Sequence, residues 1–88
     1  MYFVEETLTC SSENGMYLTC PIFTGVVYSI HSLVEIDNTH CIKDVDYGIT
    51  NTAHGNYIWV DNDCHGTFTV EVAAQGMLFF QLMSLVVG

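Results

Sequence analysis

Thr67-Phe68-Thr69-Val70-Glu71-Val72 alternates without a break: Phe68, Val70 and Val72 fall on one side of an extended chain, Thr67, Thr69 and Glu71 on the other. Successive side chains of a strand point to opposite faces, so this stretch predicts a strand with one dry and one wet face, as in an antiparallel sheet. Working outward, Gly25 to Leu33 and Tyr57-Ile58-Trp59-Val60 are rich in β-branched and aromatic residues and read as further strands. Glu6 to Cys10 and Met16 to Cys20 are shorter candidates, and Glu13-Asn14-Gly15 between them predicts a hairpin, because Asn and Gly tolerate positive φ. Asp46-Tyr47-Gly48, His54-Gly55-Asn56 and Asp61-Asn62-Asp63 read as loops. Cys20-Pro21 predicts a strand end, since proline cannot donate to a ladder. Residues 1–72 show no helical period with a start signal. The expectation is one all-β domain over residues 1–88, a small antiparallel β-sandwich or open barrel.

A chain of 88 residues buries only roughly 60% of its unfolded surface, so a domain of this size needs a staple or a partner. Four cysteines, Cys10, Cys20, Cys41 and Cys64, offer the staple. An even count in so short a chain reads as two disulfides and an oxidising, extracellular compartment. Three pairings are open; Cys10–Cys64 with Cys20–Cys41 is the favoured expectation, because it would close the ends of the domain. Residues 1–10 have neither the basic start nor the apolar stretch of a signal peptide, so a secreted protein would be represented here as a mature form or a fragment.

Ten acidic residues face one lysine, Lys43, and no arginine, for a formal net charge of −9. Nucleic acid binding requires cations that displace phosphate counterions, and acidic lipid surfaces repel this balance too. The surviving partners are neutral glycans, cations, basic proteins, or further copies of the chain as a homo-oligomer or polymer.

The segment Met77-Leu78-Phe79-Phe80-Gln81-Leu82-Met83-Ser84-Leu85-Val86-Val87 has nine apolar residues of eleven. It is shorter than the ~20 residues of a membrane-spanning helix. As a strand over 77–87 it is apolar on both faces, which suits a doubly covered core strand or a subunit interface carried by Met77, Phe79, Phe80, Leu82 and Leu85.

His31, His40, His54 and His65 with the cysteines suggest zinc, but the tight paired spacings of zinc motifs are missing. The carboxylates at Asp37, Asp44 to Asp46 and Asp61 to Asp63 could offer oxygen to calcium, yet no twelve-residue calcium loop is present and solvated acidic turns explain them as well. No cofactor or metal is therefore expected. No serine or histidine sits in a nucleophile elbow, and no glycine loop is built to cradle phosphate, so the expectation is a non-enzyme. Sugar recognition needs an aromatic face and amides or carboxylates for hydroxyls. Tyr47, Asn56, Tyr57, Asp61 and Asn62 are the candidates, with Trp59 expected in the core.

The order Cys10-Ser11-Ser12, Tyr17-Leu18-Thr19-Cys20, Cys41, Tyr47-Gly48, Ile58-Trp59-Val60-Asp61, Cys64 and Phe68-Thr69-Val70 resembles a family of small secreted disulfide-bonded β-domains. Its bacterial members form a domain of unknown function, and a similar pattern occurs in a sea-hare egg lectin. The resemblance covers residues 7–72; His65 stands where the family usually has arginine and Asp63 where it has glycine. It implies an extracellular all-β domain with a lectin-like role. The expected function is glycan or surface recognition without catalysis; the alternative is a self-assembling structural subunit of an extracellular filament or matrix, joined by its apolar terminal strands.

Overall fold

Residues 2–74 are described by the computed structural model. Six strands follow in order: β1 (Tyr2–Ser11), β2 (Leu18–Ile22), β3 (Val26–Glu35), β4 (Tyr47–Thr52), β5 (Gly55–Val60) and β6 (His65–Ala74). They form two three-stranded antiparallel sheets, β1-β6-β3 and β2-β5-β4, with β6 and β5 in the centres. The sheets pack face to face as a small sandwich around Phe68, Val70, Val72, Val27 and Cys10 from one and Ile58, Val60 and Ile22 from the other.

The stretch that predicted the fold is the heart of it. Phe68, Val70 and Val72 are wholly buried, while Thr67, Thr69 and Glu71 line the outer face. Burying each such side chain is worth roughly 1.5–3 kcal/mol. Outside, Thr69 meets Thr7 and Thr67 meets Thr9, each pair with hydroxyls 3.2 Å apart. β3 shows a less regular solution. Its inward residues Val27, Ile30 and Leu33 are spaced by three, yet they face Val72, Val70 and Phe68, which are spaced by two. Register shifts between Val27 and Ser29 and between Ile30 and Ser32 absorb the extra residues, Tyr28 and His31, as bulges.

Both disulfides form, but not in the expected pairing: Cys10 joins Cys20 and Cys41 joins Cys64. Cys10 points inward from the β1-β6-β3 sheet in line with Leu8, and Cys20 points inward from the opposite sheet in line with Ile22, their Cα atoms 6.0 Å apart. Cys10 lies opposite Gly66, two residues beyond Cys64, so Cys64 is left to the chain returning from β3, where Cys41 arrives with Cα atoms 5.3 Å apart. The first bridge therefore sews sheet to sheet, and the second pins the β3–β4 connection to the start of β6.

Glu13-Asn14-Gly15 also departs from expectation. Asn14 and Gly15 do take positive φ, 56° and 69°, but β1 and β2 belong to different sheets, so the turn is an arch across the sandwich and no hairpin. Ser12, wholly buried, fixes the arch by donating to Met16 O at 2.6 Å and accepting from Asp63 N at 3.1 Å. The adjacent two-strand turn is β4–β5, where the Thr52 hydroxyl accepts from the N–H groups of His54 and Gly55, both at 3.1 Å. Pro21 sits inside β2 without ending it, because β2 is an edge strand where a missing N–H need break no ladder bond. At the far end of the sandwich the Asn51 amide docks on the β3 backbone, accepting from Val27 N at 3.1 Å and donating to Val27 O at 2.9 Å. The interface expectation at Met77, Phe79, Phe80, Leu82 and Leu85 lies outside the described residues.

Candidate functional site

The outer face of the β2-β5-β4 sheet is where the aromatics gather. Ile58 and Val60 take the inward positions of β5, so alternation sends Tyr57 and Trp59 outward. This overturns the expectation of Trp59 as a core residue: either face of Tyr57-Ile58-Trp59-Val60 could have turned inward, and the opposing strand decides. Gly48 on β4 lies directly opposite Trp59, and a Cβ built there would sit 2.6 Å from the indole Nε1 and 2.8 Å from Cε2 and Cζ2. The indole is thus laid across a position that has no side chain. Tyr57 repeats the device at Gly55, whose Cβ would fall 2.5 Å from the phenol oxygen.

Tyr17, carried in at the end of the arch, completes the platform. Its ring lies 5.7 Å from that of Trp59 at an interplanar angle of 25°, a stacked pair. Tyr17 is 55% exposed and Trp59 is half-buried, so the pair reaches solvent. The indole Nε1 lies over Gly48, on the side of the ring toward β4. On the far side of Tyr17 a groove of about 390 Å³ opens between Ser11, Glu13, Asn14, Met16 and Leu18. An exposed aromatic face beside a carboxylate, an amide and a hydroxyl is an arrangement that can stack on an apolar ring face and hydrogen-bond its substituents. Thr19 pairs with Trp59 in the register and adds a hydroxyl to the same face.

The expected ligand residues divide. Tyr57 shares the outer face of β5 with Trp59, its phenol laid back over Gly55. Tyr47 opens β4 instead of sitting in a loop, and its ring packs 5.5 Å from Phe68, closing the core. Asn56 is half-buried at the far end of β5, opposite Ile22 and Asn51 and on the inward side of the sheet. Asp61 and Asn62 meet Asp46 in a loop cluster near the start of β6. Asp61 N donates to Asp46 O at 2.8 Å, and the Asn62 amide donates to Asp46 Oδ1 at 2.8 Å. The other Asp46 oxygen accepts from Ile42 N at 2.8 Å. With Asp46 only 7% exposed, the Ile42 N–H and then the Asn62 amide hold its carboxyl below the usual range, against the opposing effect of burial. Both oxygens are taken by protein donors, so the cluster is a structural clasp on the β3–β4 connection.

Among the described residues no three His, Cys, Asp or Glu side chains converge as a metal site, and the histidines are spread: His31 lies 3.8 Å from Glu5 and His40 3.9 Å from Glu35, both pairs exposed. No helix in the described residues is long and apolar enough to cross a membrane. Sequence reasoning missed Tyr17, Glu13 and Asn14. The available signal was an aromatic immediately after a turn and two residues before a β-strand aromatic partner's register position, which means nothing until strand pairing is known. In comparison with known proteins, the chain matches no family model, no curated protein and no solved structure.

Proposed function

We propose that this domain is a non-catalytic extracellular recognition module that binds neutral glycans on the Tyr17–Trp59 platform. The observation that carries the reading is that stacked pair, held at the surface over Gly48 and bordered by the Glu13–Asn14 groove. Pyranose rings have a C–H face that stacks on aromatic rings, and their hydroxyls are served by carboxylates, amides and an indole N–H. A net charge of −9 disfavours sialylated or sulfated sugars, so the ligand class is neutral. Two disulfides fit an oxidising compartment.

Trp59 is the one tryptophan of the chain, so its fluorescence reports the site directly. Titration with a panel of neutral oligosaccharides is expected to shift the emission at millimolar affinity or better, where binding is worth about 4 kcal/mol. Tyr17→Ala is expected to weaken binding by roughly two- to twelvefold, the loss of a ring contact worth about 0.5–1.5 kcal/mol. Unchanged emission across the whole panel, or equal affinity in Tyr17→Ala, would overturn the reading.

A further inference from the structure

The two sheets have four edges, and three of them are guarded against adding another strand. β2 carries Pro21, β3 is broken by bulges at Tyr28 and His31, and β4 is only six residues long, with Asp44 N bonded to Tyr47 O. β1 is different. It runs ten residues in unbroken register with β6, contains no proline, lysine or bulge, and on its other side pairs with no strand among the described residues. Its inward apolar residues Val4 and Leu8 pack partly buried against the core. One polar side chain interrupts that inward row: Glu6, half-buried, which accepts from the Thr24 hydroxyl.

The stretch 77–87 has the complementary pattern. It is apolar on both faces over eleven residues, and Gln81 and Ser84 are its two polar side chains. We propose that residues 77–87 of one copy add antiparallel to the free edge of β1 of a second copy, with Gln81 opposite Glu6. That register sets Phe79 against Leu8, Met83 against Val4 and Leu85 against Tyr2, and pairs β1 from Tyr2 to Cys10. The amide is then beside the inward carboxylate, and every other inward contact is apolar.

A second copy follows from the direction of the strands. β6 is antiparallel to β1 and ends beside its start, with Tyr2 opposite Ala74. A segment reversing after β6 would therefore run parallel to its own β1, and Gln75-Gly76 would have to carry it across two strand spacings, roughly 9.6 Å. Antiparallel addition needs a β1 from elsewhere. Each copy then donates at one end and accepts at another, a head-to-tail contact that builds open chains.

Light scattering after size exclusion, with negative-stain electron microscopy, tests this on the 88-residue chain. Multimers in whole-number steps are expected for the unaltered chain, and monomers for a chain truncated after Gly76, which keeps all six strands and both disulfides. Gln81→Glu, a change outside the six strands, sets a second carboxylate beside Glu6 and is expected to weaken association about fivefold or more. Glu6→Lys with Gln81→Glu is expected to restore it. A monomeric full chain, whether free or partitioned into phosphatidylcholine vesicles, overturns the proposal. So does assembly that survives truncation, or failure of the charge-reversed pair to recover while its disulfides map as in the parent. None of these readouts depends on sugar binding.

Discussion

Gly48→Ala probes the platform from beneath. β4 is extended at Gly48, so the backbone accepts alanine and gains about 0.4–1 kcal/mol by restricting the unfolded chain. The new methyl would lie 2.6 Å from Trp59 Nε1 and 2.8 Å from two ring carbons, where ordinary contacts begin near 3.5 Å. The indole must therefore move by about 1 Å, and it cannot move without disturbing the stack with Tyr17. Overpacking of this kind costs roughly 1–3 kcal/mol, and a disturbed aromatic pair adds about 0.5–1.5 kcal/mol. Set against the backbone gain, a net destabilisation of about 0.5–4 kcal/mol is expected. Urea unfolding with the disulfides intact, followed by circular dichroism and by tryptophan emission, measures it. A double-mutant cycle isolates the cause: in a Trp59→Leu background the same alanine is expected to keep only its backbone gain, leaving a coupling of about 1.5–4.5 kcal/mol. A Gly48→Ala protein within about 0.5 kcal/mol of the parent, with unchanged emission, would show that the indole does not rest on Gly48, and the proposed glycan platform would lose its foundation.

Removal of the cross-links should rank by loop length. Replacing Cys41 and Cys64 by serine opens a separation of 23 residues and is expected to cost about 3.4 kcal/mol, against about 2.7 kcal/mol for Cys10 and Cys20 with a separation of 10; chemical denaturation of the two double variants gives the order. Asp46 sets an acid limit. Its folded carboxyl is held below the usual value, so it contributes stability above the unfolded value near 3.9 that is lost as pH falls through the lower folded value. Asp46→Asn is expected to be less stable than the parent at neutral pH, with a deficit that shrinks below about pH 4; urea midpoints across that range would sink the idea if the two proteins stay parallel.

Legibility of the sequence followed the range of the interactions involved. The dry and wet faces of β6 could be read at once, because alternation along Thr67–Val72 is a property of neighbours in the chain. The positive φ at Asn14-Gly15 was equally local, but whether that turn joins partners or crosses between sheets depends on where β5 and β6 lie, and no feature of residues 13–15 carries that. The spacing of three in Val27, Ile30 and Leu33 fits a strand only after bulges are allowed. Disulfide pairing failed for a related reason: all four cysteines reach one end of the sandwich, and side-chain direction chooses among them. At the candidate site, the outward position of Tyr57 follows from alternation along β5, whereas Tyr17 meets Trp59 only across the sheet, and Asn62 is drawn away to Asp46.

The covalent ties are unevenly placed along the sandwich, and this gives the domain a gradient of cohesion. Cys10, Cys41 and Cys64 lie where β1 finishes and β6 begins, whereas the opposite pole, around Tyr2, Val27 and the β4–β5 turn, is fastened by the non-covalent grip of Asn51 on Val27. Local opening therefore starts at the unsewn pole and stops at the sewn one, so fraying there can free one strand end while the arch that carries Tyr17 stays closed.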